Sequence, residues 1–260
     1  MLLAIDIGNT NIKSAIFKGK RIIKKFSLPI SIYTKNKFIK QLVKHPITDI
    51  VICSVVPKLT TLLKDDLAVL TGKVPYIIGK DLNVALKNNY RNPKQLGQDR
   101  LVNAFAASKI YSSPAIIIDS GSAITFDLLA KNNTYLGGLI LPGFVTSLRA
   151  LNNKTALLPL VKLAAPKKLI GNNTQDCILS GVVFGTAALT KEITAKLLQR
   201  LGKDTTVIGT GGNIALIKKH SAIKIKIDVD LTLKGINLIY EIGTKSLKDT
   251  NLKLKKLKNS

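Results

Sequence analysis

Two kinds of apolar pattern alternate along the chain: short runs that are apolar throughout, and longer stretches in which apolar residues return every three or four positions. The short runs read as buried strands. They are Leu2–Ile5 leading into Asp6, Asp49–Ser54, Ala115–Ile118 leading into Asp119, and Val207–Ile208, with further strands at Arg21–Ser27, Tyr76–Ile78 and Tyr135–Leu141. The periodic stretches read as amphipathic helices. One spans Lys58–Leu70; a second spans Asp99–Tyr111, with Leu101, Val102, Phe105, Ala106 and Ile110 on its buried side. In a third, Ile178, Val182, Leu189, Ile193 and Leu197 trace one face of a long helix that stops at Gly202. Strands alternating with helices indicate an α/β architecture.

Within that pattern one segment occurs twice. Leu2–Phe17 (LLAIDIGNTNIKSAIF) and Ala115–Ala130 (AIIIDSGSAITFDLLA) both read as a buried strand ending in Asp, then x-Gly, a polar turn and a second strand. Asp6 falls over Asp119 and Gly8 over Gly121. A repeated Asp-x-Gly hairpin at the start of each half points to a duplicated α/β domain with a site between the copies. The expected division is 1–113 and 114–250, followed by a basic, frayed tail at 251–260.

Composition narrows the functions that such a chain can carry. The net charge is +25, but 46% of residues are hydrophobic and only 21% charged, so the chain is no disordered basic tail. Only five of the basic residues are Arg, aromatics make up 5%, and Trp is absent. Specific nucleic-acid readers depend on Arg forks and stacking platforms, so a dedicated nucleic-acid partner is disfavoured, and most of the lysine excess is expected to be solvated background. His45 and His220, Cys53 and Cys177, and Glu192 and Glu241 are the only residues of their types, and none sits at zinc-ligand spacing. The cysteines, each within an apolar run, are expected to be buried thiols, and acid–base work falls to Asp. No apolar stretch is expected to approach the roughly 18 residues of a membrane span. Met1–Ile5 has neither a basic lead nor a cleavage site, so a cytoplasmic protein with no membrane segment is expected.

Four segments carry candidate chemistry. Asp6-Ile7-Gly8-Asn9-Thr10-Asn11 offers backbone N–H groups and polar side chains to phosphate oxygens, with Asp6 placed for Mg²⁺ directly or through water; read alone, it is equally a hairpin turn. Asp119-Ser120-Gly121-Ser122 mirrors it. Gly209-Thr210-Gly211-Gly212-Asn213, at a strand's end, leaves room for a base or ribose against the backbone, and is also an ordinary turn before a helix. Gly97-Gln98-Asp99-Arg100 sets a carboxylate beside a guanidinium at a helix start, where Asp99 also suits a plain helix cap. Gly181 and Gly185, four residues apart, suggest close helix packing.

Taken in order, DIGNTN (6–11), YRNPKQLGQDR (90–100), DSGSAITFD (119–127), YLGGLILPG (135–143), NTQDCILSG (173–181), GTGG (209–212) and LTLKGI (231–236) closely resemble the type III pantothenate kinase family, of the acetate-and-sugar kinase and actin superfamily. The resemblance implies duplicated actin-like (ribonuclease H-like) domains with the active site in the cleft between them. It implies ATP-dependent phosphorylation of the 4′-hydroxyl of pantothenate, the first step of coenzyme A synthesis. By the same resemblance Asp6, Ile7, Gly8, Asn9, Thr10, Asn11, Ile12 and Lys13 form the ATP phosphate loop, assisted by Ser122, with Gly211 and Gly212 also at ATP. Asp99 is then the proton acceptor, Tyr90, Gly97, Gln98, Asp99, Arg100 and Thr174 bind pantothenate, and Asp119 holds a monovalent cation, K⁺ or NH₄⁺. The family is homodimeric with a shared pocket, which puts Thr174 in the neighbouring subunit's site. One departure is Ser122, where the family commonly has Thr. The alternative is a non-catalytic regulatory or accessory nucleic-acid-binding protein on the same fold.

Overall fold

The computed structural model describes the backbone of residues 1–258 and the side chains of residues 1–244. The side chains and final residues of the expected tail at 251–260 lie outside the described residues. In chain order, the first part contains β1 (Leu2–Ile7), β2 (Asn11–Lys18), β3 (Arg21–Pro29), α1 (Lys35–Ile39), β4 (Asp49–Ser54), α2 (Pro57–Thr71), β5 (Tyr76–Ile77) and α3 (Gln98–Ile110). There follow β6 (Ala115–Ser120), β7 (Ala123–Leu129), β8 (Tyr135–Pro142), α4 (Phe144–Lys154), α5 (Thr174–Leu201), β9 (Thr206–Thr210), α6 (Ile214–Ser221), β10 (Lys226–Ile227) and α7 (Leu231–Lys258).

The duplication read from the sequence is present in the sheets. Each is five-stranded, ordered β3-β2-β1-β4-β5 in one and β8-β7-β6-β9-β10 in the other. In both, the first three strands pair antiparallel with one another, and the third, fourth and fifth pair in parallel. A register shift interrupts the β2–β3 pairing at Ile16/Phe17 and the β7–β8 pairing at Leu128/Leu129. The central strands β1 and β6 are buried on both faces except at their aspartates. That is why both read as unbroken apolar runs rather than as alternation.

In the first unit the alternation of side chains across the sheet feeds two apolar layers. Ala4, Ala15, Phe17, Val51 and Cys53 pack with Val102 and Phe105 of α3 and with Leu233, Ile236 and Ile239 of α7. Ile5, Ile12, Ile16, Ile50 and Ile52 pack with Phe38, Leu42, Leu63 and Leu67 on the side of α1 and α2. Local signals set the ends of these helices: Thr34 caps α1, and α2 opens on Pro57 and closes on Gly72 at a φ of 66°. In the second unit Ile116, Ile118, Ile124 and Phe126 pack with Phe144 of α4, Val183 of α5, and Ile214 and Ile217 of α6.

Several expectations change in the structure. The two compact units are Met1–Leu86 with Lys94–Ala106 and Leu231–Ser260, and Lys87–Pro93 with Ala107–Asp230. The division therefore differs from a single cut at 113/114, because the apolar stripe of α7 covers the first sheet and Asn237 donates from Nδ2 to the Gly19 carbonyl at 3.2 Å. Ile110 is exposed at the end of α3, where the buried side is completed by Ala104 and Ala107 instead. In α5 the fully buried residues are Ile178, Ser180, Val183, Ala187, Thr190 and Thr194; Val182, Ile193 and Leu197 of the expected face pack partly buried against the same core, and only Leu189 is exposed. Bulky and small side chains of α5 thus share the face that packs on the core of the second unit. Gly181 and Gly185 lie outside the fully buried set, and a Cβ on either would meet no heavy atom within 4 Å. Cys53 is buried as expected, but Cys177 is exposed on the first turn of α5. Among the described residues α5 is also long and apolar enough by length and composition to cross a membrane. It escaped notice as a run because polar residues are scattered through it, and one of its faces is built into the core of the second unit.

The tightest helix contact in the first unit is at Gly235 of α7, where an added Cβ would stand 2.7 Å from both Cγ1 and the backbone oxygen of Val102 on α3. A backbone atom cannot swing aside. Gly235→Ala is expected to destabilise the protein by about 1–3 kcal/mol in urea unfolding, the usual cost of overpacking.

Candidate active site

In the first unit the candidate residues gather at the ends of β1 and β4 and at the start of α3. The β1–β2 hairpin turns through Asn9 and Thr10, closed by a hydrogen bond from the Gly8 N–H to the Asn11 carbonyl at 3.1 Å. Ile7 and Ile12 on either side are fully buried, so they anchor the turn in the core, whereas Asn9 and Thr10 are exposed. Asp6 and Lys13 are cross-strand partners and share one sheet face with Cys53, which sits opposite Asp6 in the parallel β1–β4 register. Burial pushes the Cys53 thiol well above its ordinary pKa, and the nearby charges of Asp6 and Asp99 push it further. One thiol therefore feels both the Asp6 and the Asp99 carboxylates.

Asp99 lies in the first turn of α3, and its Oδ1 accepts a hydrogen bond from the Arg100 backbone N–H at 2.8 Å. The carboxylate lies over Gly97, where an added Cβ would stand 2.5 Å from Oδ1. Burial raises the pKa of Asp99; the Arg100 N–H bond and guanidinium oppose that shift without cancelling it. The reading of Asp99 as a plain helix cap fails, because α3 already begins at Gln98. Arg100 is buried, only 7% exposed, and Gln98 is half-buried.

The second unit holds the mirrored turn. The Gly121 N–H donates to the Ala123 carbonyl at 2.9 Å, and the Ser122 carbonyl accepts from the Gly143 N–H at 3.0 Å and from Thr146 Oγ1 at 2.6 Å. Gly143 packs so closely on the Gly121 and Ser122 carbonyls that no side chain fits there. On the other side Gly211, at a φ of 88°, brings its Cα against the Asp119 carboxylate; a Cβ would stand 2.5 Å from Oδ1 and 2.6 Å from the Ser120 carbonyl oxygen. Gly212 faces open space. Tyr90 is half-buried beside Tyr135, ring centroids 6.3 Å apart, because the strand-like segment at 87–90 runs along β8. Thr174 is exposed at the first position of α5, whose cap is Asn173.

Within each unit, then, the structure gathers Asp6, Lys13 and Asp99, and separately Asp119, Ser122 and Gly211. Sequence reasoning missed Cys53 and Gly143 as parts of these clusters, although Gly143 closes a quoted motif just where a strand turns into a helix. Among the described residues no three His, Cys, Asp or Glu side chains converge as a metal cluster. A cavity of about 300 Å³ lined by Ile39, Leu42, Val43, His45, Ile47, Leu70 and Thr71 contains none of the motif residues.

Two sheets of matching strand order, each with an aspartate at the end of its central strand and a glycine-hydroxyl turn beyond it, define the class of actin-like ATPases and sugar kinases. The activator of the 2-hydroxyisocaproyl-CoA dehydratase from Clostridium difficile, solved with ADPNP bound, shares the fold at a TM-score of 0.55 and 14% identity, covering 95% of this chain and 97% of that one. Residues 2–196 match the family model for type III pantothenate kinase. Relatives named type III pantothenate kinase include one from Dehalococcoides mccartyi, 36% identical over 252 residues (93% of this chain, 98% of the relative), and one from Persephonella marina, 39% identical over 253 residues (92% and 98%). The chain belongs to the type III pantothenate kinase family. The accessory nucleic-acid-binding alternative is not favoured.

The raised pKa of Asp99 carries a thermodynamic consequence. A carboxyl whose folded pKa exceeds its unfolded value gives stability that is full below the unfolded pKa and is lost as pH rises through the folded one. Asp99→Asn is therefore expected to raise the melting temperature at pH 7, with the gain over the unaltered chain shrinking toward pH 4 in thermal scans.

Proposed function

We propose that this chain transfers the γ-phosphoryl group of ATP to the 4′-hydroxyl of pantothenate, giving 4′-phosphopantothenate and ADP. The observation that carries the reading is the seating of Asp99: a buried carboxylate of raised pKa, held by Arg100 on the same sheet face as Asp6, in a chain of this family. A base does its work best when its pKa approaches the working pH, and burial moves Asp99 in that direction. In the reaction the Asp99 carboxylate takes the proton of the 4′-hydroxyl as the hydroxyl oxygen bonds to the γ-phosphorus and the bond to the ADP oxygen breaks. Phosphoryl transfer asks little covalent chemistry of the protein, so positioning and charge neutralisation dominate.

The remaining roles follow from donor chemistry. Asn9 and Thr10 present N–H groups and polar side chains to the ATP phosphates at an exposed turn that Gly8 and Asn11 close, and Lys13 adds positive charge beside Asp6. Ser122 assists from the second turn, and Gly211 and Gly212 leave room for the nucleoside. Pantothenate carries a carboxylate that Arg100 can fork, with Tyr90, Gly97 and Gln98 around it. A divalent cation accompanies ATP in kinases generally. The Asp6 carboxylate would hold Mg²⁺ directly or through water, and the ion would screen the phosphate charge. The Asp119 carboxylate and the Ser120 carbonyl, both against Gly211, form an oxygen set suited to a monovalent cation, K⁺ or NH₄⁺. Thr174, exposed at the start of α5, serves the pocket of a second copy in a homodimer.

Asp99→Asn is expected to lower kcat for ATP-dependent 4′-phosphopantothenate formation by about 10²–10⁴-fold. In the unaltered chain, kcat/KM should fall on the acid side at a pH above the ordinary aspartate range. Loss of product formation in the unaltered chain, or an undiminished rate in the variant, would remove the assignment. Sharing of the pocket has its own test in mixtures of Asp99→Asn and Thr174→Ala chains. Each mixed dimer retains one complete site, so unfolding and refolding the two variants together should restore about a quarter of full activity, whereas unshared sites restore none beyond the separate variants.

A further inference from the structure

Gly79 follows β5 and belongs to none of the motifs above. Its φ is 85°, and its N–H donates to the Leu82 carbonyl at 2.8 Å, closing a tight loop. The side-chain amide of Gln98, at the start of α3, lies directly on its Cα. A Cβ at Gly79 would stand 2.7 Å from Cδ, 2.8 Å from Oε1 and 3.1 Å from Nε2 of Gln98. The three nearest atoms it would meet all belong to the far end of one flexible side chain. The contact thus differs from the one at Gly235: it holds an amide in place, whereas that one sets the spacing of two helices.

We propose that Gly79 is a specificity-determining positioning residue, a bare backbone seat that fixes where the Gln98 amide stands beside Asp99 and Arg100. The inference rests on the reading that Gln98 contacts pantothenate. The side-chain amide of Gln98 offers one carbonyl acceptor and two N–H donors, and pantothenate is lined with hydroxyl, amide and carboxylate groups that need partners of fixed orientation. A long, half-buried side chain without such a seat would sample several rotamers and spend little time in the binding one. The glycine supplies a flat surface and removes the volume in which the amide would otherwise have to bend. The opposite arrangement, a larger residue at 79, would keep the fold and turn the amide away. Asp99 itself is held independently, through Gly97 and the Arg100 N–H. Gly79 therefore governs substrate affinity rather than the proton transfer.

The test separates this seat from ordinary backbone strain. Gly79→Ala adds both a Cβ and strain at positive φ. Gly79→Asn adds the Cβ in a residue that tolerates positive φ better, and so stands in if the alanine variant folds poorly. Gly72→Ala is the control: it carries the same class of strain at a φ of 66°, but its Cβ would meet nothing within 4 Å. Both Gly79 variants are expected to raise KM for pantothenate about tenfold, the scale of one misplaced hydrogen bond, with KM for ATP and kcat within about twofold. In a Gln98→Ala background the same substitutions should add less than about twofold, since the group they displace is gone. Gly72→Ala should lower the melting temperature and leave both KM values alone. Independently of activity, the Gln98 side-chain NH₂ signals in a ¹⁵N-correlation NMR spectrum, assigned by their loss in Gln98→Ala, should shift in the Gly79 variants and stay put in Gly72→Ala. Unmoved amide signals overturn the seat, as does an equal rise in both KM values or an undiminished effect in the Gln98→Ala background. If the unaltered chain makes no 4′-phosphopantothenate, the functional reading falls, and the NMR comparison still decides whether Gly79 seats Gln98.

Discussion

A strand buried on both faces carries an acid along its length only where hydrogen bonds answer it, as Thr125 and Tyr135 do for Asp127 in β7; near its end it carries one at lower desolvation cost. Both sheets are organised around that constraint. β1 and β6 are apolar up to their final turn of chain and then present Asp6 and Asp119. The layers on either side of β1 exist to make it a core strand: α3 and α7 on one face, α1 and α2 on the other. Because the strand is fixed so firmly, the carboxylate at its end is fixed as well, and the polar turn beyond it inherits the same precision.

Two of the carboxylates lie directly against glycine backbone. Asp99 rests over Gly97, and Asp119 lies against Gly211 and near Gly121. A glycine beside an acid brings backbone close without adding bulk. The scarcity of histidine and glutamate is then no handicap. Three aspartates differ in their surroundings, one deeply desolvated and two at strand ends, and those surroundings separate their chemistry.

Much of this was legible in the sequence because it is local. The matching Asp-x-Gly hairpins gave away the duplication, and β4 begins and ends where its apolar run does. What was not legible depends on who packs against whom. Beside the expected Ile178, Val182, Ile193 and Leu197, the inward side of α5 includes Ser180, Ala187, Thr190 and Thr194, small or polar residues whose burial hydropathy alone does not mark. Cys177 sits in an apolar run yet faces outward, because the helix turns its other side inward. The seat of Gln98 on Gly79 joins residues nineteen positions apart, through a contact in which one partner has no side chain to show a pattern. The assignment of α7 to the first unit has the same origin, since nothing in its amphipathic spacing says which sheet it covers.

That last assignment has a bearing on how the chain is made. The layer of the first unit that backs Asp6 and carries Asp99 is finished by Leu233, Ile236 and Ile239, near the end of the chain. During synthesis the sheet that emerges first must wait, with Phe17, Val51 and Cys53 incompletely covered, until almost everything else has left the ribosome. The second unit, nearly continuous from Ala107 to Asp230, is free to fold in the interval. Completion of the first unit is thus a long-range closure, slow by its topology, and the proposed base is firmly set only when the C-terminal helix docks.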